Sequence, residues 1–148
     1  MWTKDTSIRL SVVFTRLFLV LLALGLFTVP RLVAWFIEAT GGRPVFVGRI
    51  SAAFYCCAGP AAVLLWSLDR LLAAISRGEA FTAGNIALLR RCSWCCMIVA
   101  AVCLVFTAAL FYFLLVAAAA AFMGLILRVI KNVFQQAMEL KEENDYTI

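Results

Sequence analysis

The 148-residue chain has no histidine, only three prolines and 14% charged residues. Without histidine there are no His-ligated metal sites, no Ser-His-Asp or Cys-His catalysis and no histidine pH switch. The charged fraction is well below the roughly 25% of soluble domains, and the hydrophobic fraction of 66% far exceeds their roughly 45–50%. Mean hydropathy is +1.03. So much apolar sequence does not fit inside a soluble core of this size, and the chain reads as an all-α, polytopic membrane protein whose first partner is the lipid bilayer. The net charge of +5 would suit a nucleic-acid binder. Here the basic residues flank apolar runs instead of forming a patch, which is the pattern of membrane-flanking charge. Direct nucleic-acid binding is therefore not expected.

Four spans are predicted, at about 11–29, 50–68, 93–110 and 113–130. Ser11 to Val29 is 19 residues, close to the roughly 20 that cross a bilayer as helix. Arg16 lies near its start, where a long stem can snorkel to the headgroups, and Pro30-Arg31 marks its end. A cleaved signal peptide competes for this segment, but Thr28-Val29-Pro30-Arg31 is a poor cleavage site, so an uncleaved span is expected. Residues 31–49, with Glu38, Gly41-Gly42, Arg43 and Pro44, read as the first connection. Ile50 to Leu68 follows as 19 uncharged residues, with a kink predicted at Gly59-Pro60.

Beyond Leu68 the spacing of Leu71, Leu72 and Ile75 predicts an amphipathic extension. Gly78 is its expected terminator, and Thr82 the expected N-cap of the next helix. Residues 69–91 thus form a connecting loop with helical shoulders. Cys92 to Leu127 is 36 uncharged residues, about 54 Å as one helix against a hydrocarbon layer of about 30 Å. It is therefore divided into two spans, with the turn near Phe111-Tyr112. An amphipathic tail helix continues the fourth span over 131–144.

With four spans, both termini and the 69–91 connection share one side. That side carries Lys4, Arg9, Arg16, Arg70, Arg77, Arg90, Arg91, Arg128, Lys131 and Lys141; the other carries Arg31, Arg43 and Arg49. The positive-inside rule puts the first group, and so both termini, in the cytoplasm of a cell-membrane protein.

The chemistry-bearing residues are few. Cys92, Cys96 and Cys103 share a helix face, and Cys92-x-x-Cys95 has the spacing of a thiol or metal pair. Cys92, Cys95 and Cys96 could form a membrane thiol or soft-metal sensor, although thiols in an apolar span more often pack as small hydrophobes. No Asp, Glu, Lys or Arg lies deep within a span, which disfavours a transporter or channel subunit. Such a role would require a homo-oligomer. No nucleophile elbow, phosphate loop or metal signature occurs, and neither enzymatic activity nor a cofactor is expected. The cytoplasmic surface remains. Its apolar stripes flanked by charge can dock a helix of the same chain or of a partner.

Two segments on that surface carry a family resemblance. Gly78-Glu79-Ala80-Phe81-Thr82-Ala83-Gly84-Asn85-Ile86-Ala87-Leu88-Leu89-Arg90-Arg91 resembles the central loop of the bacterial membrane proteins grouped as DUF2975. The tail from Ala137 to Ile148, with Glu143-Asn144-Asp145 followed by Tyr146, Thr147 and Ile148, resembles that family's C-terminal signature, and Val29-Pro30-Arg31 also fits its pattern. The resemblance covers nearly the whole chain in order. It implies four transmembrane helices, a bacterial inner membrane and no established enzymatic activity. It also implies a neighbouring small helix-turn-helix regulator of the Cro/repressor type, which the membrane protein would hold or regulate. The very short connection between spans three and four departs from the family pattern and argues against a sensing loop there.

On this reading Gly78, Phe81, Thr82 and Asn85 in the loop, with Glu143, Asn144 and Asp145 in the tail, form a partner-binding platform. Thr82 and Asn85 would shape the loop, and the tail acids would meet a basic DNA-binding surface in competition with phosphate. A second reading is internal, with Asn85 and Asn144 capping the two cytoplasmic helices and tying them to each other.

Overall fold

The computed structural model describes residues 4–108 and 110–147. They form four helices and, among the described residues, no strand: α1 (Lys4–Ala39), α2 (Val45–Ser76), α3 (Ala83–Phe106) and α4 (Tyr112–Tyr146). All four are long and apolar enough to cross a membrane. Helices of 32 to 36 residues, such as α1, α2 and α4, run about 50 Å. That is longer than the hydrocarbon layer of a bilayer, about 30 Å.

The first connection is much shorter than predicted. The helix does not stop at Pro30 but continues to Ala39, leaving only residues 40–44 as a connection before α2 starts at Val45. A proline removes the amide that would bond the carbonyl four residues back, here that of Leu26. The Tyr55 hydroxyl of α2 donates to this carbonyl at 2.8 Å, so a neighbouring helix repairs the break. α1 ends instead in a Schellman motif: Gly41 has φ 68°, Gly42 N–H donates to Ile37 O at 2.9 Å and Gly41 N–H to Glu38 O at 3.3 Å. α2 runs without interruption through Pro60.

The second connection follows its predicted chemistry. Gly78 terminates α2 at φ 80°, with Glu79 N–H bonded to Ala74 O and Gly78 N–H to Ile75 O, again a Schellman pair. Thr82, with extended φ −126° and ψ 152°, caps α3 by accepting from Asn85 N–H. The fold-back in the long neutral segment comes a few residues early, since α3 ends at Phe106 and α4 begins at Tyr112. Neither glycine nor proline marks it. The Thr107 hydroxyl donates to Cys103 O at 3.0 Å, competing with the helix ladder, and the Phe106 and Phe113 rings meet across the turn at 6.1 Å.

Packing follows chain order. α1 lies on α2, α2 on α3 and α3 on α4, and among the described residues no contact closes α1 onto α4. Residues of all four helices, among them Leu22, Leu65, Cys96 and Ala120, line one cavity of about 530 Å³, and α3 is the most buried helix. Small residues make the crossings: Ala53, Ala58, Ser67 and Ala74 on α2, Cys92, Cys96, Ala100 and Cys103 on α3, Ala117 and Gly124 on α4. In lipid there is no hydrophobic gain from burying leucine against leucine, so close backbone approach drives association. Long apolar side chains such as Leu17, Phe27, Val105 and Leu115 point outward, where acyl chains would solvate them.

α3 and α4 cross closely. The buried Ser93 hydroxyl donates to Gly124 O at 2.8 Å. A Cβ on Gly124 would stand 3.1 Å from Met97 Sδ and 3.3 Å from Cys96 Cβ.

Candidate functional site

The loop between α2 and α3 is built around Asn85. Its side chain is buried, and Nδ2 donates to Glu79 O at 2.6 Å and Ala80 O at 3.0 Å. Loop carbonyls that would otherwise be unsatisfied thereby gain a donor. Thr82 accepts from the Asn85 backbone amide at 3.3 Å, so one residue is tied at both its main chain and its amide. Phe81 is exposed on one side, and its ring packs on Phe134 of α4 at 5.1 Å.

Those contacts fix how the loop meets the tail. α3 and α4 are antiparallel, with Ser93 opposite Gly124 and Phe81 opposite Phe134. Residues 135–146 therefore extend past the loop by about 18 Å. This segment carries Glu139, Glu142, Glu143 and Asp145 against one cation, Lys141. Glu143, Asn144 and Asp145 are exposed, and among the described residues no hydrogen bond or ion pair joins them to Gly78, Phe81, Thr82 or Asn85. The four loop residues are thus together and the three tail residues stand apart. The alternative tie between Asn85 and Asn144 is not present among the described residues: Asn85 Nδ2 donates within the loop, and Asn144 is exposed ten residues beyond Phe134. At the tail, Thr147 Oγ1 donates to Glu143 O at 2.6 Å.

Beneath the loop lies a cavity of about 530 Å³ lined by Arg70, Arg77, Glu79, Thr82 and Asn85, among others. Both arginines are engaged: Arg77 pairs with Glu79 at 3.7 Å, and Arg70 stacks 4.4 Å above the Trp66 ring. Two features here had little sequence signal. Arg16, read as a residue whose stem can snorkel, pairs with Asp69 of α2 at 3.1 Å. Phe134 is one apolar position of the amphipathic tail helix, and nothing local to it marks the ring it meets.

Of the cysteines singled out in the sequence, Cys92, Cys95 and Cys96 are buried in α3. Cys92 Sγ faces Leu64 O at 3.8 Å. The approach of two sulfurs between helices is instead Cys57 to Cys103, at 4.0 Å. Among the described residues no three His, Cys, Asp or Glu side chains gather as metal ligands would.

These features define a class: an all-helical chain with four membrane-spanning-type helices and charged helical ends. Residues 12–148 match the family described as "Protein of unknown function (DUF2975)", and the chain belongs to that family. No curated protein and no solved structure matches it.

Proposed function

We propose that the chain is a non-enzymatic membrane protein whose basic end faces the cytoplasm and captures a small, basic helix-turn-helix regulator, holding it away from DNA. The observation that carries this reading is the protruding end of α4. It has four carboxylates and one lysine, all of them exposed. An acidic helix standing on an otherwise cationic chain attracts a cationic surface, and a DNA-binding face is cationic by necessity. The loop fastened by Asn85 and Phe81 gives the helix a fixed base. The ten-to-three distribution of basic residues supports the cytoplasmic placement of loop and tail.

The test is co-purification of the detergent-solubilised chain with the product of any helix-turn-helix gene adjacent to its own. Truncation after Leu140 removes Glu142, Glu143 and Asp145. It is expected to lower recovered regulator about tenfold, as three or four contacts of about 0.4 kcal/mol each would give, with membrane insertion unchanged. Recovery that ignores the truncation would remove the tail from the mechanism, and no recovery by the full chain would reject the capture itself.

A further inference from the structure

At the basic end a second cleft separates α1 from α2. It has a volume of about 550 Å³, and its lining includes Arg9, Arg16, Val12, Val13, Ala73 and Ser76. Arg9 and Arg16 are seven residues apart, two helical turns on one face and about 10 Å along the axis. Arg16 Nε is held by Asp69 Oδ1 at 3.1 Å, which leaves the two terminal nitrogens of the guanidinium as donors. Arg9 has no acidic partner among the described side chains. Among the described side chains, two cations face one carboxylate there, a net charge of +1.

The apolar part of the lining matters equally. On α1, Val12 and Val13 lie between Arg9 and Arg16, and Ala73 lines the α2 side, so cationic and oily groups share one cleft, as suits a molecule with a charged head and a greasy stem. The cleft also lies where the apolar run of α1 gives way to its charged end, the level of the headgroups if the helices span a bilayer. Basic pockets between transmembrane helices are recognised sites for anionic headgroups. The loop cavity beneath Asn85 is a poorer candidate, because its arginines are occupied by Glu79 and Trp66.

We infer that the α1–α2 cleft binds the phosphate headgroup of an anionic phospholipid, with Arg9 and the free nitrogens of Arg16 on the phosphate and the valines against the glycerol and upper acyl chain. This goes beyond regulator capture and does not depend on it, since it requires only that the helices span the membrane.

The probe is phosphatidylglycerol, compared with phosphatidylcholine of identical chains and with tail-less glycerol phosphate. The readout is lipid retained by the detergent-purified full chain in native mass spectrometry. The wild-type chain is expected to retain phosphatidylglycerol over phosphatidylcholine, and Arg9→Gln to reduce that preference about fivefold. Arg9→Lys, which keeps the charge, should preserve it. Arg43→Gln at the opposite end should leave it unchanged. Equal retention of the two lipids by the wild-type chain, or a preference indifferent to Arg9→Gln, would overturn the site. Displacement of phosphatidylglycerol by an equal concentration of glycerol phosphate would assign the cleft to a soluble phosphate and overturn the lipid. Loss of preference in Arg9→Lys as complete as in Arg9→Gln would reject charge as its basis.

Discussion

Gly124→Leu is expected to destabilise the chain by about 3 kcal/mol, the upper part of the range for overpacking a close helix crossing. Even a bare Cβ would sit 3.3 Å from Cys96 Cβ and 3.1 Å from Met97 Sδ. The flexible methionine end can yield, but Cys96 Cβ is fixed to the α3 backbone, so a branched side chain must push α3 and α4 apart. Gly124→Ala should cost about 1 kcal/mol because only the first carbon has to be accommodated. Ser93→Ala should cost less still, about 0.6 kcal/mol, a typical value for one inter-helix hydrogen bond in a membrane. Reversible unfolding in mixed micelles measures all three. The ranking Leu above Ala above the serine deletion identifies steric closeness, more than the hydrogen bond, as what holds the crossing. A leucine variant within 1 kcal/mol of wild type would show that the crossing is loose.

The second large effect concerns Tyr55. Pro30 leaves the Leu26 carbonyl without its helical donor, and the Tyr55 hydroxyl supplies one at 2.8 Å. Tyr55→Phe removes only that oxygen and leaves an unsatisfied carbonyl in an apolar setting, at an expected cost of about 1–2 kcal/mol. Pro30→Ala restores an N–H that can bond Leu26 O within the helix. In that background the same Tyr55→Phe change should cost less than half as much. A double-mutant cycle over these two positions isolates the coupling. Equal costs in both backgrounds would mean that the tyrosine does not act by repairing the proline.

The same pair shows where reading along the chain runs out. Pro30-Arg31 marks a helix end by every local rule, yet the partner that lets the helix continue lies 25 residues away on another helix. Glu38 and Arg49 also look like breaks in apolar runs. A charge near the end of a long helix interrupts hydropathy without interrupting hydrogen bonding, so α1 and α2 each swallowed part of the expected connection. Local chemistry served well where structure is set by neighbours in sequence. Gly78 took the left-handed conformation that few other residues tolerate, and Thr82 capped α3. The fold-back within the neutral segment between Cys92 and Leu127 was demanded by the thickness of a bilayer, although its position, set by Thr107 and an aromatic pair, was not.

For the site, residue type revealed roles but not partners. Asn85 was recognisable as a loop-shaping residue, and its burial against the Glu79 and Ala80 carbonyls gives that role a geometry. The separation between this loop and Glu143-Asn144-Asp145 depends on the Phe81–Phe134 register, which requires both helices in place. Helical spacing put Cys92, Cys96 and Cys103 on one face of α3, which the structure shows to be buried, but it had no means of showing that Cys103 faces Cys57.

The proposed mechanism stands or falls on the side of the membrane to which the end of α4 projects. Single cysteines introduced as Thr40→Cys, in the α1–α2 turn, and Glu142→Cys, in the tail, can be labelled with a membrane-impermeant maleimide. The six native cysteines lie in α2 and α3, four of them buried and Cys56 exposed, so labelling of the unsubstituted chain sets the background. A cytoplasmic tail predicts labelling of Thr40→Cys in intact spheroplasts and of Glu142→Cys only after lysis. Labelling of Glu142→Cys in intact spheroplasts, with Thr40→Cys protected until lysis, would contradict it.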